Sequence, residues 1–261
     1  MEAFFLPAET GKRYCLYTPP RGQSRDIGIL YVHPFAEEMN KSRRMAALQA
    51  RRFAREGFAV LQLDLFGCGD SSGDFGDATW EKWKRDVSLG YQWLGDKGKV
   101  ALWGLRLGAL LVLDFAASSD CEFLMLWQPV LNGESFLTQF LRLRLANEML
   151  ADGAARTRTS DLRGQLAAGQ TLEVAGYQLA PDMATAIDNL QAARMTPHAP
   201  LFWAEIMADA SRPVPAARRN LANSWPRCEM QIVEGEPFWS TQEIHECSAL
   251  LDTTSDWARA R

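Results

Sequence analysis

The side chains best suited to chemistry fall in three short turns, each of which follows an apolar run. They are Val32-His33-Pro34-Phe35, Asp64-Leu65-Phe66-Gly67-Cys68-Gly69-Asp70-Ser71 and Gly104-Leu105-Arg106-Leu107-Gly108. In the third, a glycine at each end allows a sharp strand-to-helix turn that presents the middle residue. That residue is Arg106. Its guanidinium stays protonated and cannot attack a carbonyl, but its forked donors suit a carboxylate or a phosphate. A helix beginning at Leu107 would add to the pull on an anion. The backbone N–H groups of Leu107 and Phe35 are further candidate donors to an anion, whereas Pro34 has no N–H to give. Glu37 and Glu38, expected in the loop beside Phe35, carry the opposite charge. Arg106 is therefore expected to pair internally with one of them, to anchor an anionic ligand, or both. His33, Trp127 and Trp239 are expected to line the same pocket.

Positioning these turns requires strands that feed into helices. Short apolar runs predict strands at 27–32, 58–63, 100–103, 122–127, 201–206 and 229–233, after a hairpin of 3–6 with 14–17. Apolar spacing near 3.6 predicts helices over 41–56, 77–94, 105–117, 136–150, 184–193 and 241–251. Strands alternating with helices imply an α/β protein with a mainly parallel sheet flanked by helices. The alternation lapses from about 134 to 194. The expected organisation is a core of 1–133 and 195–261 with a cap or lid of 134–194 inserted over the C-terminal ends of the strands. The run Lys41, Arg43, Arg44, Arg51, Arg52 and Arg55 reads as a solvated helix face.

Composition narrows the functional classes. The 261 residues are 47% apolar, enough for a large core, and the net charge of −4 argues against a nucleic-acid binder. Five scattered cysteines, with no Cys–His cluster at ligand spacing, predict free thiols, no metal and no cofactor. The first residues lack a signal-peptide pattern and no apolar run is long enough to span a membrane, so a cytoplasmic protein is expected.

The three turns, in this order and spacing, resemble the α/β-hydrolase superfamily. The stretches Val32–Arg44, Leu102–Arg106, Trp127–Gly133, Val174–Tyr177 and Pro237–Trp239 resemble one branch of it, hydrolase 2 of bacterial exosortase A systems. That resemblance spans nearly the whole chain. It implies an α/β-hydrolase fold and a setting of exopolysaccharide synthesis and sorting of proteins with a C-terminal PEP motif, with a protein of that system as a possible partner.

In the fold so implied, Arg106 occupies the nucleophile elbow. Pro237, in Gly235-Glu236-Pro237-Phe238, stands near the position of the catalytic histidine. Asp209 is placed as the acid, which achieves little without nucleophile and base. His198 precedes a strand and His245 is expected inside the last helix, so neither is assigned as base. Asp64, Cys68 and Ser71 read as turn residues. No catalytic residue is assigned. The expected function is that of a pseudoenzyme binding a small anionic or acyl-bearing molecule, or a partner protein. The alternative is an acyl hydrolase, acting on an ester or thioester by an unusual mechanism.

Overall fold

The computed structural model describes residues 1–152 and 157–261. Eight strands form one sheet: β1 (Glu2–Pro7), β2 (Lys12–Thr18), β3 (Ile27–Val32), β4 (Ala59–Leu63), β5 (Lys99–Leu105), β6 (Leu124–Trp127), β9 (Leu201–Met207) and β10 (Cys228–Glu234), in the order β1-β2-β4-β3-β5-β6-β9-β10. β1 and β2 form an antiparallel hairpin, and β2 pairs antiparallel with β4. Every pairing from β4 to β10 is parallel. All six residues of β3 are buried, as expected of a central strand covered on both faces. Its side chains alternate between two apolar layers: Leu30 and Val32 join one, Ile29 and Tyr31 the other.

The helices cover both faces. α1 (Glu37–Arg55) and α8 (Ser248–Arg259) pack together on one side, and α2 (Trp80–Gly95) and α3 (Leu107–Ala116) on the other. Thr79 caps α2 by accepting from the Lys82 amide at 3.2 Å, and Trp80, Trp83, Val87 and Leu94 form its buried face. The basic side of α1 is more than a solvated face. Arg43 donates to Asp64 at 3.0 Å, and Arg44 and Arg52 pair with Glu246 and Asp252. These acids arrive from distant segments, which spacing alone does not reveal.

Between β6 and β9 lie α4 (Gly133–Asp152), α5 (Thr159–Ala167), the hairpin β7 (Leu172–Val174) with β8 (Tyr177–Leu179), and α6 (Pro181–Asp188). Residues 153–156, within the predicted cap, lie outside the described residues. Arg163 ties this segment together by donating to Asp188 at 2.8 Å, to the Glu134 carbonyl at 2.9 Å and to the Thr138 hydroxyl at 2.7 Å. Gly133 permits the approach of α4 to α6, since a Cβ there would meet the Ile187 carbonyl at 1.7 Å.

Several predicted bounds shift. α1 begins at Glu37, so Glu37 and Glu38 occupy its first turn, where acids favour the helix dipole. α6 starts early, at Pro181, where a proline suits the first turn of a helix, and ends at Asp188. The segment 241–247 is a loop, and the last helix spans Ser248–Arg259, starting seven residues later than predicted. α5 and α7 (Ala216–Ser224) were not predicted; each is nine residues long with few buried side chains, so neither carries a full apolar stripe.

Candidate functional site

The site grows from two turns pressed together. β5 ends at Leu105, and the chain reverses into α3 through Arg106, at φ 56° and ψ −117°. A non-glycine residue there is strained by about 1–3 kcal/mol. Three backbone hydrogen bonds hold the turn: the Arg106 amide to the Trp127 carbonyl at 3.0 Å, and the Ala109 and Val130 amides to the Arg106 carbonyl at 3.1 Å each. Gly108 lets α3 touch the end of β3, because a Cβ there would meet the carbonyls of His33 and Val32 at 2.4 and 2.5 Å. Ala36, at φ 52° and ψ −127°, turns the chain from β3 into α1 in the same strained conformation. The amides of Phe35 and Leu107, one in each turn, have no acceptor among the described residues.

Arg106 meets Glu38. Its Nε lies 3.3 Å from the Glu38 Oε1, and both side chains keep only 17% of their exposure. The pair is incomplete: Glu38 Oε2 is buried without a donor, and the terminal nitrogens of Arg106 find no acceptor among the described residues. Burial raises the Glu38 carboxyl above its ordinary range, and the Arg106 charge only partly opposes this. Glu37 points elsewhere, toward Lys41 at 3.7 Å.

The loop after β10 brings Trp239. A tight turn, with the Ser240 amide donating to the Pro237 carbonyl at 2.8 Å, sets the indole 5.3 Å from the Arg106 guanidinium carbon. The segment that could carry a base therefore supplies a ring that covers the cation. On the other side, Phe35 stacks edge-on against Phe136 at 5.7 Å and Phe140 at 5.0 Å, both from α4. Phe35, Glu37, Glu38, Arg106, Phe136, Gln139, Phe140, Leu143, Trp239 and Ser240 enclose a cavity of about 260 Å³. A second chamber of about 210 Å³ shares Arg106, Phe136 and Gln139 and adds Asn132, Ser135 and Arg218.

The remaining predicted residues stand apart. His33 is buried, and both ring nitrogens are used: Nδ1 donates to the Pro34 carbonyl at 2.8 Å and Nε2 accepts from the Leu65 amide at 3.2 Å. Burial lowers its pKa, in keeping with a neutral ring. It braces two turns and does not line the cavity. Trp127 faces the other side of the sheet, 4.7 Å from Trp103, and donates to the Thr254 hydroxyl at 3.0 Å. Strand alternation sends it there. Asp209 is exposed and accepts from the Ser211 amide and hydroxyl at 3.0 and 2.6 Å, bonds that hold its carboxyl below the usual range. His245 is exposed in the 241–247 loop and not in a helix.

Asp64 accepts from the Asp70 amide at 3.2 Å and from Arg43, while the Ser71 hydroxyl accepts from the Tyr14 amide at 2.9 Å. Burial pushes the Cys68 thiol well up, so it is no ready nucleophile. No group of metal-ligating side chains occurs among the described residues.

The sequence reading missed Glu205. It lies inside β9, only 3% exposed, where Arg218 Nε approaches its carboxylate to 2.7 Å and Trp203 Nε1 to 3.0 Å. Gln128, at φ 42°, donates to Glu205 at 3.3 Å and accepts from the Ile206 amide at 2.6 Å. A charged residue within an otherwise apolar strand was the available signal. Phe136 and Phe140 were also legible, as aromatic residues four apart on a predicted helix.

The family model of the X-Pro dipeptidyl-peptidases (S15 family) matches residues 14–244, nearly the whole chain. The chain belongs to this family. No curated protein sequence matches it. Among solved structures it is similar to Est1E from Butyrivibrio proteoclasticus with ferulic acid bound, at 14% identity and TM-score 0.69, covering 98% of each chain. A proline iminopeptidase from Mycobacterium smegmatis matches at 12% identity and TM-score 0.68, covering 99% of this chain and 98% of that one. A thermophilic esterase from Thermogutta terrifontis with malate bound matches at 18% and 0.63, covering 100% and 99%. These likenesses establish the α/β-hydrolase fold.

Proposed function

We propose that this protein is a non-catalytic member of the α/β hydrolases that binds a small anionic or acyl-bearing molecule at the elbow. One observation carries the reading: the position that presents a nucleophile in this fold holds Arg106, half-paired with Glu38 at 3.3 Å and facing an aromatic cavity of about 260 Å³. The free terminal nitrogens of Arg106 suit a carboxylate, and the Phe35, Phe136 and Phe140 rings suit an apolar body. The segment 134–194 acts as the cap over this site.

The setting we propose is the cytoplasm of a bacterium with an exosortase and exopolysaccharide system, with a protein of that system as partner. The stretches Val32–Arg44 and Trp127–Gly133 support it through their resemblance to the hydrolase 2 branch. No helix among the described residues is long and apolar enough to cross a membrane.

The test pairs a negative with a positive assay. The protein should neither turn over p-nitrophenyl acyl esters nor label with a fluorophosphonate. It should bind a short carboxylate such as hexanoate, and Arg106→Ala should abolish that binding. Stoichiometric labelling of one serine, lost on denaturation, would overturn the reading in favour of catalysis.

A further inference from the structure

The two chambers at Arg106 are stacked along α4. One is bordered by Asn132, Ser135, Phe136 and Gln139, the other by Phe136, Gln139, Phe140 and Leu143. Each position in the second set lies four residues on from one in the first, so one side of the helix serves both. Four residues rise about 6 Å, which sets the chambers side by side with Phe136 and Gln139 in common. Their chemistry differs. Asn132 caps α4 by accepting from the Ser135 amide at 2.7 Å, which leaves its side-chain N–H groups, the Ser135 hydroxyl and the Gln139 amide without partners among the described residues. Arg106 and Arg218 both border this polar chamber, and no carboxylate does. The aromatic chamber has Glu37 and Glu38 on its border beside Arg106. Charge therefore favours an anion in the polar chamber and opposes one in the aromatic chamber.

Arg218 is held ready for such an anion. Its Nε donates to Glu205 at 2.7 Å and its Nη2 to the Pro129 carbonyl at 3.0 Å, which fixes the guanidinium and leaves Nη1 uncommitted among the described residues. Glu205 does not border the chamber. It offsets much of the Arg218 charge, so Arg218 contributes chiefly directed donors, while Arg106 contributes its two terminal nitrogens and a looser, 3.3 Å contact to Glu38. A carboxylate offers these donors two oxygens. A phosphate monoester offers three, with a charge close to −2 at neutral pH. We propose that the ligand is a phosphate monoester of an apolar alcohol, with its phosphate between Arg106 and Arg218 and its apolar group one helical turn away against Phe136 and Phe140. This rests on the ligand-binding reading above and goes further by naming the head group and the chamber that each part occupies.

The experiment is calorimetric titration at about pH 7.5 with hexyl phosphate, hexyl sulfate, sodium hexanoate and inorganic phosphate. Hexyl phosphate should bind about tenfold more tightly than hexanoate or hexyl sulfate, the gain from one further charge-assisted hydrogen bond. It should exceed inorganic phosphate by about tenfold or more, because the hexyl group is buried against the aromatic rings. Arg218→Lys keeps a cation beside Glu205 and removes the fork, and should cut the preference over hexanoate to about twofold. Arg218→Gln with Glu205→Gln removes both charges together and should do the same, free of any effect from a stranded Glu205. Equal affinities for hexyl phosphate and hexanoate, or a preference that survives both variants, with hexanoate binding intact and dependent on Arg106, would overturn the phosphate assignment alone. Hexyl sulfate bound as tightly as hexyl phosphate would show that a single charge suffices, and would overturn it too. Inorganic phosphate bound as tightly as hexyl phosphate would overturn the two-chamber arrangement. Absence of binding by all four probes would overturn the underlying reading as well.

Discussion

Removing Arg106 isolates the energetics of the site. In Arg106→Ala, Glu38 loses its one ion-pair partner among the described residues, while the more distant Lys41 pairs with Glu37 at 3.7 Å. Two unit charges 3.3 Å apart attract by about 5 kcal/mol at an effective dielectric near 20. Breaking a fully buried pair costs about 3–5 kcal/mol. Here both side chains keep 17% exposure and share one contact, so the lower end, about 3 kcal/mol, applies at pH 8. For a chain of this size that corresponds to a fall in Tm of about 6–12 °C.

The sign of the pH response follows from burial. The folded Glu38 carboxyl already sits above its unfolded value, and loss of Arg106 removes the main influence that lowers it. Between the unfolded and folded values the native state holds more protons, so stability falls as pH rises. The mutant should therefore recover on acidification toward pH 5, by up to about 1.4 kcal/mol per pH unit in that window. Glu38→Gln in the Arg106→Ala background should restore most of the loss at pH 8 and flatten the pH response. Thermal melts of the three proteins from pH 5 to 8 make the comparison. A single mutant that melts like the wild type, with the same pH slope, would show that the pair contributes nothing and refute the reasoning.

Three further outcomes are expected. Ala36→Gly, which relieves a backbone held at φ 52°, should raise stability by about 1 kcal/mol in urea titrations, whereas a decrease would mean the turn is not strained. Arg218→Ala should cost about 3 kcal/mol or more, because it strands Glu205 at 3% exposure; Arg218→Ala with Glu205→Gln should recover part of this, and an unchanged urea midpoint in the single mutant would contradict it. All five cysteines are unpaired, so thiol titration should find five in denaturant, while the native protein reacts slowly at pH 7 because burial pushes Cys15, Cys121 and Cys228 up to about 12; a count of three would reveal a disulfide.

The sequence by itself determined the sheet and the elbow. Runs such as Ile27–Val32 are apolar throughout, which only a strand buried on both faces explains, and the Gly104 to Gly108 spacing dictates a tight turn whichever residue sits between. It also placed Arg106 within reach of two glutamates, but spacing treats Glu37 and Glu38 alike. Only the tertiary structure chose Glu38: α1 starts at Glu37, and successive residues of a helix point about 100° apart, so although both acids border the cavity, one pairs with Arg106 and the other with Lys41. The same distinction moved Trp127 and His33 out of the cavity, one by strand alternation and the other by two backbone bonds. It brought Trp239, Phe136 and Phe140 into it from segments far apart in the chain. Local pattern sets what each segment can be, because dihedral preference and apolar periodicity act over a few residues. Which side chains meet depends on how those segments pack, and the partners of Arg106 and Glu205 are decided there.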